Sequence, residues 1–373
     1  MIVKILAVTT WFPSPASPVM GVFVKKDVLA LSRDHAVTVI HLARAGVMRT
    51  APALEVIDGV QVHRILFDPA RPASILRAIR RVRSHAQEAD LLHTMAFSSI
   101  LGIGPRRPAL PWVHTEHWSG WTATASLSPH LRAGMHVLVR AIRRPDVVCA
   151  VSEFLAAPIR KVRSGPTLVV PCIVDAPEGI TARSSLDGRQ IELLSIGGLV
   201  PGKDPLTAVR TVAELKRRGV ACRLTWLGEG PLRGEVEREA AGLGLADVVS
   251  LPGAVPPATV SAQLDRTDLF LLPTKSETFC ISAAEALAHG RPVVMGANGG
   301  QAEYMTSEMG DLVVRQDPAA YADAVERVLA RLRDTSAQSI ASAVRSRYNA
   351  EVFRKRLGEV YTMAQQVAAR GRR

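Results

Sequence analysis

TKSETFCISAAEALAHGRPVVMGANGG, residues 274–300, is the stretch from which the rest of the chain is read. Glu277 and Glu285 stand eight positions apart, with small residues between them. Ser282 and Glu285 have the S-x-x-E spacing of a capping box, which predicts a helix starting near Ser282. Gly290 and Pro292 end it after about two turns. The apolar run PVVM then has the character of a buried strand. A helix start carries unpaired backbone N–H groups and partial positive charge, so it can hold a phosphate. A carboxylate in the first turn, and another on the loop before it, can accept hydrogen bonds from sugar hydroxyls. The arrangement suits a sugar nucleotide. The same spacing also fits Glu285 as a plain cap and Glu277 as a solvated loop charge.

The same alternation of apolar runs and helical patterns extends outward from this segment. Before it come IELLSIGG (191–198), a helix over about 205–218 with Asp204 as N-cap and Pro205 at its first position, CRLTWLGEGP, a helix near 232–243, VVSLPGAV, a helix near 257–266 and DLFLLPT. The first half reads likewise: IVKILAVTT, a helix near 21–33, AVTVIHLA, ADLLHTM, PWVHTEH, PDVVCAVS and TLVVPC. Near-continuous apolar strands separated by helices predict parallel, doubly wound sheets. The polar, irregular stretch 174–190 reads as a linker. The expected organisation is therefore an N-terminal Rossmann-like domain (1–173), a linker (174–190), a second Rossmann-like domain (191–350) and a terminal helix (351–373). Phe353, Leu357, Val360 and Tyr361 form a stripe along that helix.

At 373 residues, with 47% hydrophobic and 21% charged positions, the chain has the composition of an ordinary two-domain globular protein. It contains no run of about 18 uncharged apolar residues, so no membrane-spanning helix is expected. The four scattered cysteines, Cys149, Cys172, Cys222 and Cys280, form no C-x-x-C pair and suggest reduced thiols in a cytosolic protein, with no metal site. The net charge of +12 is one-sided. Residues 1–173 hold 21 Lys/Arg against 10 Asp/Glu, or +11, and residues 174–373 hold 25 against 24, or +1. A basic half suggests an anionic partner. In PASILRAIRRVRSHAQ (72–87), Ile75, Leu76, Ile79 and Val82 recur at helical spacing among Arg77, Arg80, Arg81 and Arg83. This fits a basic helix lying on anionic lipid, and equally a surface helix packed on its own sheet. Aromatic residues are only 5% and no RNA-stacking motif occurs, which argues against nucleic acid.

SETF-x4-AEALAHGRPVV resembles the signature of the retaining, GT-B-fold glycosyltransferases of family 4 (glycosyl transferases group 1). The similarity covers most of the chain and is densest over 191–303, including PGKDP, the turn Gly228–Pro231 and GGQAE with Glu303. In the first half, WVHTEHW, DVVCAVSEFL and LVVPCIVD are similar to family segments. The resemblance implies two Rossmann-like domains facing each other across a cleft, with the last helix crossing back to the first domain. It implies metal-independent transfer of a sugar from an NDP-sugar, with UDP or GDP as the nucleotide, and no cofactor. It implies that Lys203 neutralises the diphosphate, that Glu285 binds ribose hydroxyls, and that Glu277 and the backbone of Thr278, Phe279, Cys280 and Ile281 face the donor. Three positions depart from the pattern. Gly198, on the donor side, stands where the family usually has Arg, Cys172 where it has Asn, and Cys280 where it has Gly.

His117 matches a family histidine and is expected to contact the transferred sugar. A satisfied core histidine is the plainer alternative, and His93 and His114 are weaker candidates. His114, Glu116 and His117 lack the third ligand and the helical H-E-x-x-H spacing of a metal site. The loop 14–24 is expected to border the acceptor, with Gly21 allowing close backbone approach to a ligand and Phe23 beside it. It is not a GxGxxG fingerprint, which argues against NAD. The acceptor expected from the basic half is a lipid-linked glycan, polyprenyl-borne, on the inner face of a bacterial membrane. The alternatives are a sugar-nucleotide epimerase of similar fold and a basic membrane- or nucleic-acid-binding protein.

Overall fold

The computed structural model describes residues 2–122, 139–183 and 188–371. The chain divides into two compact units, Met1–Ile173 with Ala350–Arg373, and Val174–Asn349. The described part of the stretch read as a linker belongs to the second unit, where the Val174 N–H donates to the Tyr348 carbonyl at 2.8 Å. Residues 184–187 of that stretch, and 372–373 of the terminal segment, lie outside the described residues.

The first unit holds an eight-stranded sheet: β1 (Lys4–Thr9), β2 (Ala36–Ala43), β3 (Leu54–Ile57), β4 (Val60–Leu66), β5 (Leu91–Met95), β6 (Trp112–Glu116), β7 (Val147–Ala150) and β8 (Thr167–Val169). Their order is β3-β4-β2-β1-β5-β6-β7-β8. Among the described strands, β3 alone runs antiparallel, as the edge partner of β4. The β3–β4 hairpin was not anticipated, although LEVIDGVQV carries the signal for it. Asp58 and Gly59 both adopt positive φ (49° and 84°), as an Asp-Gly hairpin turn requires. The terminal helix, Ala350–Arg370, packs on this sheet. Phe353, Leu357, Val360, Tyr361 and Ala364 join one core with Val28, Leu91, Val113 and Val147. Tyr361 hydroxyl meets His93 Nδ1 at 2.9 Å, and His93 Nε2 meets Thr115 Oγ1 at 2.7 Å. His93 is therefore a satisfied core residue.

The helix Pro72–Ala86 turns Ser74, Ala78, Ile79 and Val82 inward. Of its apolar stripe, packing buries Ile79 and Val82 and leaves Ile75 half-buried. Leu76, read as part of that stripe, is 53% exposed, and Arg77, Arg80, Arg81 and Arg83 face solvent. Among the described residues, no helix is long and apolar enough to cross a membrane.

The second unit is a six-stranded parallel sheet of β9 (Ile191–Ile196), β10 (Cys222–Leu227), β11 (Val249–Gly253), β12 (Leu269–Leu272), β13 (Val293–Gly296) and β14 (Gly310–Val313), ordered β11-β10-β9-β12-β13-β14. The chain winds outward from β9 through β10 to β11, then returns to β12 on β9's other side. This reversal creates a crevice beyond the carboxyl ends of β9 and β12, where ligands of doubly wound sheets bind.

Candidate active site

Two loops meet at that crevice, 197–204 after β9 and 273–280 after β12. Lys275 N–H donates to the Gly202 carbonyl at 2.9 Å, Thr274 Oγ1 lies 3.1 Å from the same carbonyl, and Ser282 Oγ donates to the Ile196 carbonyl at 3.1 Å. Lys203 Nζ donates to Glu277 Oε1 at 2.5 Å, and Thr274 Oγ1 donates to that oxygen at 2.8 Å. Burial alone would lower the Lys203 pKa, but Glu277 outweighs it and the value is raised, so Lys203 is a fixed cation at neutral pH. Glu277 is held by backbone as well. Its N–H donates to the Asn298 carbonyl at 3.2 Å and its carbonyl accepts from Gly300 N–H at 3.0 Å. Gly299, at φ 144°, must be glycine, since a Cβ there would meet the Glu277 carbonyl oxygen at 2.2 Å.

The helix after this loop spans Ile281–Ala288, and its first residue precedes the expected start. Ser282 is not the cap. Its hydroxyl goes to the neighbouring strand end instead, and the N-cap is Cys280 in the left-handed region (φ 64°, ψ 76°) with no side-chain cap bond. Glu285 is consequently the fifth helical residue, in the second turn and half-buried, so the capping-box geometry does not form. Asp204 is, as expected, the N-cap position of the helix Pro205–Arg217, but it lies in the left-handed region and makes no side-chain cap bond; its carboxylate lies 3.7 Å from Lys275.

Thr278 and Ile281 are half-buried around the helix start, while the Phe279 ring packs between Tyr304 (5.3 Å) and Tyr348 (5.4 Å), leaving its backbone to line the loop. Gly198 sits at this crevice with ordinary clearance: a Cβ would meet Glu229 O at 3.5 Å, so sterics do not demand glycine. Glu303 is exposed on the short turn Gly300–Glu303.

Cys280, where family members have Gly, carries the backbone strain that Gly would avoid. Cys280→Gly relieves about 1 kcal/mol of left-handed strain and loses a similar amount of buried thiol, so its Tm is expected to match wild type. Cys280→Val places a β-branched residue there and is expected to cost at least about 2 kcal/mol, a Tm drop near 5 °C by thermal denaturation.

In the first unit, His117 follows β6 and is 8% exposed. Phe23 lies against its ring at 4.6 Å between centroids, Cys172 Sγ is 3.9 Å from Nδ1, and Asp27 Oδ2 is 3.8 Å from Nε2. Burial lowers the His117 pKa to about 4 and raises that of Asp27 well above the ordinary carboxyl value, the latter opposed by Lys26. The turn carrying His117 is organised by Glu116. Its Oε1 accepts the backbone N–H groups of His117 and Trp118, each at 2.9 Å, and its Oε2 accepts Trp121 Nε1 at 3.0 Å. Burial would raise the Glu116 pKa, but His114 and these donors outweigh it and hold it below the usual carboxylate value. His114 bonds Thr94 Oγ1 at 2.9 Å inside the sheet.

Gly21 (φ 73°) is required by the chain itself. A Cβ there would meet the Trp11 backbone carbon at 2.3 Å, a close approach between chain segments. Among the described residues, no group of three His, Cys, Asp or Glu is arranged to hold a metal ion. Sequence reasoning missed Asp27 and Glu116. Asp27 stands in the charged run KKD, which reads as a helix surface, but it lies four residues from Phe23 on the same helical face.

Two parallel-sheet Rossmann-like units, with the last helix returned to the first, define the GT-B class. The solved structure of Anabaena HepE with UDP and glucose aligns over 96% of this chain and 99% of its own, with a TM-score of 0.76 at 17% identity. Residues 28–177 match the model of Glycosyltransferase Family 4, and residues 190–331 that of Glycosyl transferases group 1. A GDP-mannose-dependent alpha-(1-6)-phosphatidylinositol dimannoside mannosyltransferase of Mycobacterium tuberculosis is 30% identical over 302 residues, 78% of this chain and 76% of that protein. A Salmonella typhimurium glycosyltransferase named for colanic acid biosynthesis is 29% identical over 216 residues, a match spanning about half of that relative's length (53%). The chain belongs to glycosyltransferase family 4, the glycosyl transferases group 1.

Proposed function

We propose that the protein is a retaining glycosyltransferase that moves a sugar from a UDP- or GDP-linked donor to a lipid-linked, polyprenyl-borne glycan in bacterial surface-polysaccharide assembly. The observation that carries this reading is the Lys203–Glu277 pair at the reversal point of the second sheet, 2.5 Å apart and beside a helix start. Charge develops on the departing diphosphate in the transition state, and a fixed ammonium with the helix N-terminus is suited to stabilise it without a metal. Glu277 and the backbone of Thr278–Ile281 then face the donor, Glu285 holds ribose hydroxyls, His117 contacts the transferred sugar, and the loop with Gly21 and Phe23 borders the acceptor. The names of the relatives support a polysaccharide or glycolipid product, and the UDP bound by HepE supports a nucleotide-sugar donor.

The test is a thermal-shift screen with UDP, GDP and their sugars, followed by NDP release with and without a polyprenyl-linked glycan. Binding to the folded state raises Tm. Acceptor-dependent release supports transfer, whereas conversion of the donor alone would favour an epimerase. Failure of every nucleotide to raise Tm would remove the reading.

We place the protein on the cytoplasmic face of the membrane, held there by the first half's +11 charge. Vesicles containing anionic lipid are expected to bind it at low salt and release it at high salt, as screening shortens the reach of surface charge. Equal binding to neutral vesicles would remove the electrostatic claim alone.

A further inference from the structure

We propose that Asp27 and His117 together grip one hydroxyl of the transferred sugar, with Asp27 Oδ2 accepting its hydrogen bond and His117 Nε2 donating to its oxygen. This rests on the assignment of His117 to the sugar, and it adds a carboxyl that the family motifs did not point to. The two atoms are 3.8 Å apart, too far for a direct hydrogen bond. An oxygen about 2.8 Å from each fits that separation, and a hydroxyl both donates and accepts. The ring's other edge is set by Cys172, whose Sγ lies 3.9 Å from Nδ1. Burial holds Cys172 as a thiol, and a thiol donating to Nδ1 leaves the ring proton on Nε2, facing Asp27. Phe23 and Asp27, one turn apart on the helix Val22–Leu31, present an apolar wall and a carboxyl to the same imidazole. That pairing suits a sugar, which offers both a C–H face and hydroxyls.

A carboxyl whose purpose was only to orient His117 would sit at contact distance, about 2.7–2.9 Å. Asp27 is also 2% exposed, and a buried carboxyl is costly unless something hydrogen-bonds it. The interaction that satisfies it is assigned here to the substrate.

The experiment compares wild type, Asp27→Asn and Asp27→Ala in the full chain. It follows NDP release from UDP-glucose or GDP-mannose, and from the 2-, 3-, 4- and 6-deoxy forms of whichever donor is turned over. Wild type is expected to lose about 10- to 100-fold in kcat/KM on removal of one particular hydroxyl. Asp27→Asn is expected to lose a similar factor on the parent donor and to lose nothing further when that same hydroxyl is absent. The Tm rise given by NDP alone is expected to be unchanged in Asp27→Asn, since NDP lacks the sugar. A general structural defect would instead lower turnover of all the donors alike, and that outcome overturns the proposal. So does an Asp27→Asn variant within twofold of wild type on the parent donor, or a wild type indifferent to all four deoxygenations, a measurement that needs no variant to fold. If wild type turns over neither donor, the series is run on whichever UDP- or GDP-sugar raises Tm; if no nucleotide or nucleotide sugar does, the functional reading itself fails and this inference goes with it.

Discussion

Lys203→Ala is expected to lower kcat for NDP release by about 10²–10³-fold, the loss usual when one preorganised charge-stabilising group is removed from a transition state. The geometry makes this a sharp test. Lys203 reaches the crevice from the loop after β9 and is oriented by Glu277, itself fixed by Thr274 Oγ1 and by backbone on both sides. Gly198 offers no side-chain charge where the resemblance implies an arginine, so on the proposed reading more of the charge falls to Lys203. The substitution also leaves Glu277, whose side chain is 10% exposed, without its ammonium partner. A stability loss of about 1–3 kcal/mol is therefore expected alongside. Circular dichroism and Tm separate the two effects, because a folded variant with normal NDP-release kinetics would mean that the diphosphate is held elsewhere. Lys203→Arg keeps the charge but not the point geometry and is expected to fall between.

The second large effect is loss of stability in mild acid. His41 and His93 lie inside the first sheet, 2% and 0% exposed. Burial lowers their pKa values from 6.5 to about 4 and about 3, with Arg64 adding to the effect on His41 and His114 to that on His93. Below pH 6.5 the unfolded chain takes up protons that the folded chain refuses. Stability therefore rises with pH across this window and falls as pH is lowered through it. At pH 5 each ring contributes a loss of about 2 kcal/mol, about 4 kcal/mol together.

Burial pushes His117 down and its neighbour Asp27 up, in opposite directions, so the expectation is drawn from His41 and His93 alone. Tm is accordingly expected to be about 8–16 °C lower at pH 5 than at pH 7. Equal Tm values at the two pH values would show that these rings titrate normally in the fold.

Most of the sheet architecture was legible because buried parallel strands are written as apolar runs. PVVM became β13, and DLFLL became β12. The terminal helix was legible from the spacing of Phe353, Leu357, Val360 and Tyr361. What misled was side-chain identity standing in for backbone conformation. Ser282 and Asp204 are good capping residues by type, but both loops enter their helices through a left-handed residue, which leaves neither side chain aimed at the helix start. The charged residues 25–27 concealed Asp27 because lysine neighbours suggest solvent; only tertiary packing turns one of three adjacent charges inward. Glu116 was weighed as a metal ligand and set aside, while its role as acceptor for the turn that follows it depends on a chain reversal that spacing does not reveal.

The first unit's core includes Ala350–Arg370, which the ribosome delivers only after all of Val174–Asn349 has been made. At about 5–20 residues per second, the nascent first sheet waits roughly 10–35 s with the face destined for Phe353, Leu357 and Tyr361 uncovered. During translation this half is thus an open, apolar and strongly cationic intermediate, and chaperone occupancy during synthesis should concentrate there while the second unit closes on its own.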